Sequence, residues 1–274
     1  MAGFEISSYD KNSAARCGVL KTAHGEVETP AFMPVGTAGA VKGITPEQLQ
    51  KTGASIILAN TYHLMLRPGV DAIESVGGLH KFMAWDGPIL TDSGGYQIFS
   101  LNSLTKITDD GVEFASHVDG AKVYLDAGRA TEIQNRLGSD IAMCLDQCPA
   151  FGCEQAEMDK AIDRTLRWAK QCKDAHKNPR QMLFAITQGG TNPQLREQCT
   201  KELVRLDFDG YAIGGLGLGE GHDNLTKTVR HNTSVLPEDK PRYLMGVGMP
   251  ADIIAGVLAG VDMFDCVLPT RNGR

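Results

Sequence analysis

Short apolar runs closed by polar residues or glycine recur along the chain: SIILANTYHL (55–64), PILTDSGGYQIF (88–99), DIAMCLDQCP (140–149), MLFAITQGG (182–190), GYAIGGLGLGEG (210–221), RYLMGVGMP (242–250) and DMFDCVLPTR (262–271). Runs of this length bounded by turn residues read as buried strands. Helix-compatible stretches lie between most of them. In CEQAEMDKAIDRTLRWAKQCKDAHK (153–177), Ala161, Leu166, Trp168 and Ala169 share a face, and NPQLREQCTKELVRL (192–206) follows the same spacing. Strand-helix alternation of this kind predicts a parallel sheet, either doubly wound or closed as a (β/α)8 barrel.

The placement of a few distinctive residues tips the reading to the barrel. Asn60, Asp92, Asp146, Gln188, Gly215, Met245 and Asp265 fall late in successive runs, and in a barrel those ends converge on one mouth where the chemistry is done. The predicted fold class is therefore α/β, a (β/α)8 TIM-type barrel forming one domain over residues 1–274. VETPAFMPVGTAGAVKGITPEQL (27–49) carries three prolines and several Gly/Ala turns, and reads as a plug or hairpin layer over the barrel bottom. The runs supply about seven of the eight strands a closed barrel needs. The expectation is an incomplete barrel whose first and seventh strands expose unpaired edges.

Composition narrows the class further. At 274 residues with 42% hydrophobic content, the chain can bury one large core. Its first residues hold no apolar signal segment, and no stretch approaches the roughly 18 apolar residues of a membrane span. A soluble, cytoplasmic protein without a membrane partner is expected. Cysteines number seven, an odd count scattered through a chain too large to need staples, which favours reduced thiols. Net charge is −6, against a generally basic nucleic-acid-coating surface, though a local basic site is compatible with it.

Chemistry concentrates in a few positions. Asp265 interrupts the apolar MFDCVL, where an unpaired carboxylate would cost several kcal/mol or titrate neutral. Asp92 precedes Ser-Gly-Gly in TDSGGYQIFSL (91–101), where glycine removes the barrier to close approach of a planar ligand. One such stretch alone reads rather as a capped βα turn. Two carboxylates on strand ends facing one mouth suit attack at a sugar C1′ by one and proton handling by the other. Asp146, Gln188 and the amides around Gly214 and Gly215 offer acceptors and donors fitted to a purine edge, and Tyr96 and Met245 could sandwich a flat ring. The glycine run 213–221 lacks the dinucleotide fingerprint, and Cys144, Cys148 and Cys153 lack zinc-knuckle spacing, so neither a Rossmann site nor a metal site is expected.

TDSGGYQIFSL, LDQCP, ITQGG, IGGLGLGEG, LMGVG and MFDCVLPTRNGR, in this order, together with PAFMPVGTAGAVKG and ILANTYHLMLRPG, resemble the tRNA-guanine transglycosylase family along essentially the whole chain. The resemblance implies a (β/α)8 enzyme of queuosine biosynthesis that replaces the wobble guanine of tRNAs with a GUN anticodon by a 7-deazaguanine. It implies Asp265 as the nucleophile on ribose C1′ and Asp92 as general acid/base. Ser93, Asp146, Gln188, Gly215 and Leu216 match its base-recognition positions, Tyr96 and Met245 the sandwich, and Arg271 and Arg274 the grip on the anticodon loop. Cys148 and Leu218 match specificity positions of bacterial members that take preQ1, where queuine-using members carry glycine at the second. Leucine in place of valine there, and Gln147 in place of glutamate, depart from the family pattern. The family continues past TRNGR into a zinc-binding region with much of its homodimer interface, so the resemblance implies a C-terminally truncated chain, with zinc and dimer expected only of full-length members and no cofactor within these residues. Two other readings stay open: a hydrolytic N-glycosidase on nucleosides, and a noncatalytic binding subunit.

Overall fold

The computed structural model describes residues 3–101 and 105–273. Strands β1 (Gly3–Tyr9), β2 (Arg16–Thr22) and β3 (Gly25–Thr29) form an antiparallel meander. Two short pieces follow, β4 (Ala31–Met33) and β5 (Val35–Gly36), separated by Pro34, and then β6 (Ile57–Ala59) and β7 (Ile89–Thr91). A second antiparallel sheet, β8 (Thr105–Ile107), β9 (Gly111–Ala115) and β10 (Lys122–Asp126), is inserted before β11 (Ile141–Met143), β12 (Met182–Thr187), β13 (Gly210–Ile213), β14 (Arg242–Leu244) and β15 (Met263–Asp265).

The large parallel sheet runs β4-β15-β14-β13-β12-β11-β7-β6-β5. Its two ends are halves of one segment. β4 pairs with β15, with Ala31 opposite Met263 and Asp265 opposite Met33, while β5 pairs with β6 through Val35 and Leu58. Residues 31–36 are thus the eighth strand, and the ring closes on them. This corrects the expectation of about seven strands with two bare edges. The prolines explain the misreading: Pro30 and Pro34 lack an amide N–H, so they break the strand signal, yet Pro34 keeps a carbonyl that accepts from the Leu58 N–H at 2.9 Å.

The strands alternate between two cores, as a barrel requires. Along β12, Met182, Phe184 and Ile186 point into the barrel interior, while Leu183 and Ala185 join the layer between strands and helices. Leu20 and Val27, from β2 and β3, also belong to the interior cluster, so the N-terminal meander closes one end of the barrel. That end is pinned by Asp140, just before β11. Its Oδ1 accepts from the His24 N–H and Nδ1, and its Oδ2 takes the His80 ring and the Ile89 N–H, all at 2.9–3.0 Å. Arg16 and Asp262, both buried, add a bidentate pair between β2 and the start of β15.

The helices are α1 (Pro46–Lys51), α2 (Thr61–Leu66), α3 (Val70–Ser75), α4 (Leu79–Met83), α5 (Gly95–Leu101), α6 (Ala127–Leu137), α7 (Gln155–Ala175), α8 (Pro193–Arg205), α9 (His222–Val235), α10 (Pro250–Leu258) and α11 (Leu268–Asn272). α7 buries Ala161, Trp168 and Ala169, as its spacing predicts. The inserted sheet is tied to α7 at its β8–β9 turn: Arg164 Nε donates to the Asp109 carboxylate and Trp168 Nε1 to the Asp109 carbonyl, both at 2.9 Å. Among the described residues, no helix is long and apolar enough to cross a membrane.

Candidate active site

Several barrel strands deliver a site residue at or just beyond the C-terminal end, so the backbone ladder supports side chains that face the open mouth. Asn60 follows β6, Asp92 follows β7, Gln188 follows β12, Met245 follows β14, and Asp265 closes β15. The turn after β7 needs its glycine. Gly94 has φ +82°, and a Cβ there would meet the Tyr62 amide nitrogen at 3.2 Å, so Ser93-Gly94 can lie against the start of α2 only without a side chain.

Three donors hold the Asp92 carboxylate. Asn60 Nδ2 and Gln97 Nε2 donate to Oδ2 at 2.5 and 2.8 Å, and the Thr61 N–H donates to Oδ1 at 2.9 Å. Burial nonetheless pushes Asp92 up to about 6, against these hydrogen bonds and with the charge of Asp265 adding to the rise. Asp265 is also pushed up by burial, opposed by hydrogen bonds from Tyr243 and Gly246. The Tyr243 hydroxyl and the Gly246 N–H both donate to Oδ1, at 2.6 and 2.7 Å. Oδ2 takes neither bond.

A second group forms a flat polar edge. Gln188 Nε2 donates to Asp146 Oδ2 at 2.6 Å, and Asp146 is raised to about 6 by burial, against that hydrogen bond. Gln188 Oε1 is buried without a hydrogen-bond partner among the described residues. Such an acceptor costs about 1–3 kcal/mol until a donor reaches it. Two glycines let the amide lie where it does: a Cβ on Gly215 would stand 2.5 Å from Gln188 Oε1, and one on Gly214 would stand 2.9 Å from Nε2. Burial pushes the Cys148 thiol up to about 12, so it packs as a neutral group.

These residues share one cavity of about 390 Å³. Its lining includes Asp92, Ser93, Tyr96, Asp146, Cys148 and Gln188, together with Gly215, Leu216, Leu218, Met245 and Asp265. Tyr96 is half exposed at the rim. Arg271 is exposed on α11 and is not among the cavity-lining residues, and Arg274 lies outside the described residues. Sequence reasoning missed Gln97, Tyr243 and Glu220. Gln97 sits one turn into the helix that follows Asp92, Tyr243 hides in an apolar run, and Glu220 closes the glycine run by accepting from the Gly217 and Leu218 N–H groups at 2.5 and 2.9 Å.

Among the described residues, His24, His80 and Asp140 alone bring three metal-type donors together, at the opposite end of the barrel. The two imidazoles stack with centroids 3.6 Å apart and an interplanar angle of 22°. Each ring points a nitrogen at a different oxygen of Asp140, at 2.9 and 3.0 Å, so the three groups already satisfy one another. The donor set fits a hydrogen-bonded clamp. All seven cysteines are free thiols.

Comparison with known proteins bears on the site. The family model described as queuine tRNA-ribosyltransferase matches residues 10–274. A queuine tRNA-ribosyltransferase of Caldanaerobacter subterraneus subsp. tengcongensis is 56% identical over 272 residues, covering 99% of this chain and 72% of that protein. One from Desulforamulus reducens is 54% identical over 270 residues, covering 98% and 73%. Another from Staphylococcus aureus is 57% identical over 265 residues, covering 96% and 70%.

Proposed function

The chain belongs to the queuine tRNA-ribosyltransferase family, and from that premise we propose how its cavity exchanges a base on tRNA. Membership makes it a transferase of tRNA processing, acting in queuosine biosynthesis by guanine transglycosylation. The observation that carries the finer reading is a pair of buried carboxylates, Asp92 and Asp265, lining the same cavity as the Asp146–Gln188 edge.

In this reading the wobble guanosine of a GUN anticodon leaves the stack, since C1′ is out of reach while the base is stacked. Asp146 and Gln188 hold the purine edge, and Tyr96 and Met245 flank its faces. Oδ2 of Asp265 attacks C1′ as the bond from C1′ to the guanine nitrogen breaks; the electron pair departs with the guanine, and Asp92 supplies the proton that neutralises it. An aspartyl-ribose ester remains. The incoming base gives its ring N–H proton to Asp92, its nitrogen attacks C1′, and the Asp265 carboxylate is released. Protons balance over the cycle. A carboxyl held near 6 suits both directions of transfer at neutral pH.

The incoming base is preQ1. Leu218 and Cys148 narrow the cavity beside the glycine run, which favours a small aminomethyl substituent over queuine's cyclopentenediol. Arg271, exposed on α11, is available to anticodon-loop phosphates. The test is incorporation of labelled guanine into unmodified GUN tRNA, with Asp265→Asn as control and preQ1 as competitor. Incorporation that disappears in Asp265→Asn and is suppressed by preQ1 is expected; incorporation that persists in that variant would sink the covalent route.

A further inference from the structure

Arg196, at the fourth position of α8, is completely buried, and no carboxylate pairs with it among the described residues. Burial lowers it to about 10, which leaves it charged at neutral pH. An interior cation without an ion-pair partner is costly, so its retention asks for a geometric reason. Its guanidinium spans a turn. Nη1 donates to the Thr187 carbonyl at 3.0 Å, while Nε and Nη2 donate to the Gly190 carbonyl at 3.1 and 2.8 Å.

Between those two carbonyls lie only Gln188 and Gly189. Gly189, at φ +134°, rests so closely on α8 that a Cβ there would stand 2.7 Å from the Arg196 amide nitrogen. The Gln188 N–H is held by Cys199 Sγ at 3.4 Å. The turn is held mainly from α8, with two further backbone bonds at 3.1 Å, from the Asn192 N–H to the Gly189 carbonyl and from the Gly214 N–H to the Thr187 carbonyl. We propose that Arg196 is a positioning residue for base recognition: by gripping the carbonyls of Thr187 and Gly190 it fixes the turn from which Gln188 presents its amide beside Asp146. The inference rests on the reading that Gln188 contacts the purine edge.

The planar fork matters because one lysine ammonium cannot span both carbonyls. Asn232 offers a second, gentler perturbation. Its Oδ1 lies 3.5 Å from Arg196 Nη1 and accepts from Thr187 Oγ1 at 3.0 Å, so Asn232→Asp keeps the shape while drawing the guanidinium off the Thr187 carbonyl.

The experiment measures guanine Kd by calorimetry, and KM for guanine and for tRNA, in the wild-type chain, Gln188→Ala, Arg196→Lys and Asn232→Asp. Arg196→Lys should raise the guanine Kd and KM about tenfold and Asn232→Asp about threefold, with the tRNA KM within about twofold of wild type. Unchanged guanine binding in both, while Gln188→Ala weakens it, overturns the role of Arg196 and leaves the base reading standing. Unchanged binding in Gln188→Ala overturns the base reading itself. Parallel rises in both KM values with a lowered melting temperature reduce Arg196 to a structural residue. Should Arg196→Lys not fold, Asn232→Asp decides alone.

Discussion

Tyr243 donates its hydroxyl to Asp265 Oδ1 at 2.6 Å, so the carboxylate that faces the cavity from β15 is held by a side chain from the neighbouring strand β14. That hydrogen bond favours the ionised acid, and its removal has a readable signature. Tyr243→Phe should lower the exchange rate about tenfold, the worth of one charge-assisted hydrogen bond. The acid limb of the pH–rate profile should also move to higher pH, because burial then acts with only Gly246 opposing it. A profile that merely drops without shifting would contradict the assignment.

Asp146 carries a stability cost. Its carboxyl is held at about 6 in the fold against an ordinary 3.8, so between those values the folded chain binds the extra proton and stability falls as pH rises. Asp146→Asn removes that loss. Urea titrations should find the variant more stable than wild type at pH 8 by up to ~3 kcal/mol, with the difference fading toward pH 4. The same variant should bind guanine poorly, because one of the two acceptor oxygens becomes an NH2 donor.

Gly215→Ala tests the flat edge from the backbone side. A Cβ 2.5 Å from Gln188 Oε1, on a residue with φ +69°, must push the amide aside. Guanine affinity should fall at least about tenfold, accompanied by ~1–2 kcal/mol of backbone strain. Equilibrium binding and a melting curve on the same sample separate the two effects.

The clamp at the far end makes the opposite prediction. Burial works to raise Asp140, but hydrogen bonds from His80, the Ile89 N–H and His24 outweigh it and hold its carboxyl below the ordinary range. Its contribution is therefore present above the unfolded value near 3.8 and is lost as pH falls through the lower folded value. Asp140→Asn should cost ~2–4 kcal/mol at pH 7, judged by denaturant midpoint, because buried donors lose their anionic acceptor. Guanine affinity should stay at the wild-type value, since the clamp lies at the other end of the barrel.

The parts of this protein legible in its sequence are those where one residue contradicts its neighbours. Asp265 inside MFDCVL and Asp92 at the end of PILT break apolar runs, and strand ends are where a barrel places such breaks. Residues 31–36 were illegible as a strand because Pro30 and Pro34 carry the mark of a turn. The sheet from Thr105 to Asp126 was illegible for another reason: its outer faces are polar, and its anchor at Asp109 is a contact with α7 far along the chain. Gln97, Tyr243, Glu220 and Arg196 look like ordinary helix, core or loop residues. Their roles come from which carboxylate or carbonyl the fold sets beside them.

The seam between β4 and β15 has a further consequence for how the protein is made. Met33 emerges from the ribosome early and Asp265 late, yet they are paired partners. Joining them closes a very long loop, so this pairing belongs to the slow, high-contact-order part of folding. A nascent or half-assembled barrel thus carries Asp92, Asp146 and Gln188 before Asp265 joins them in the cavity they share.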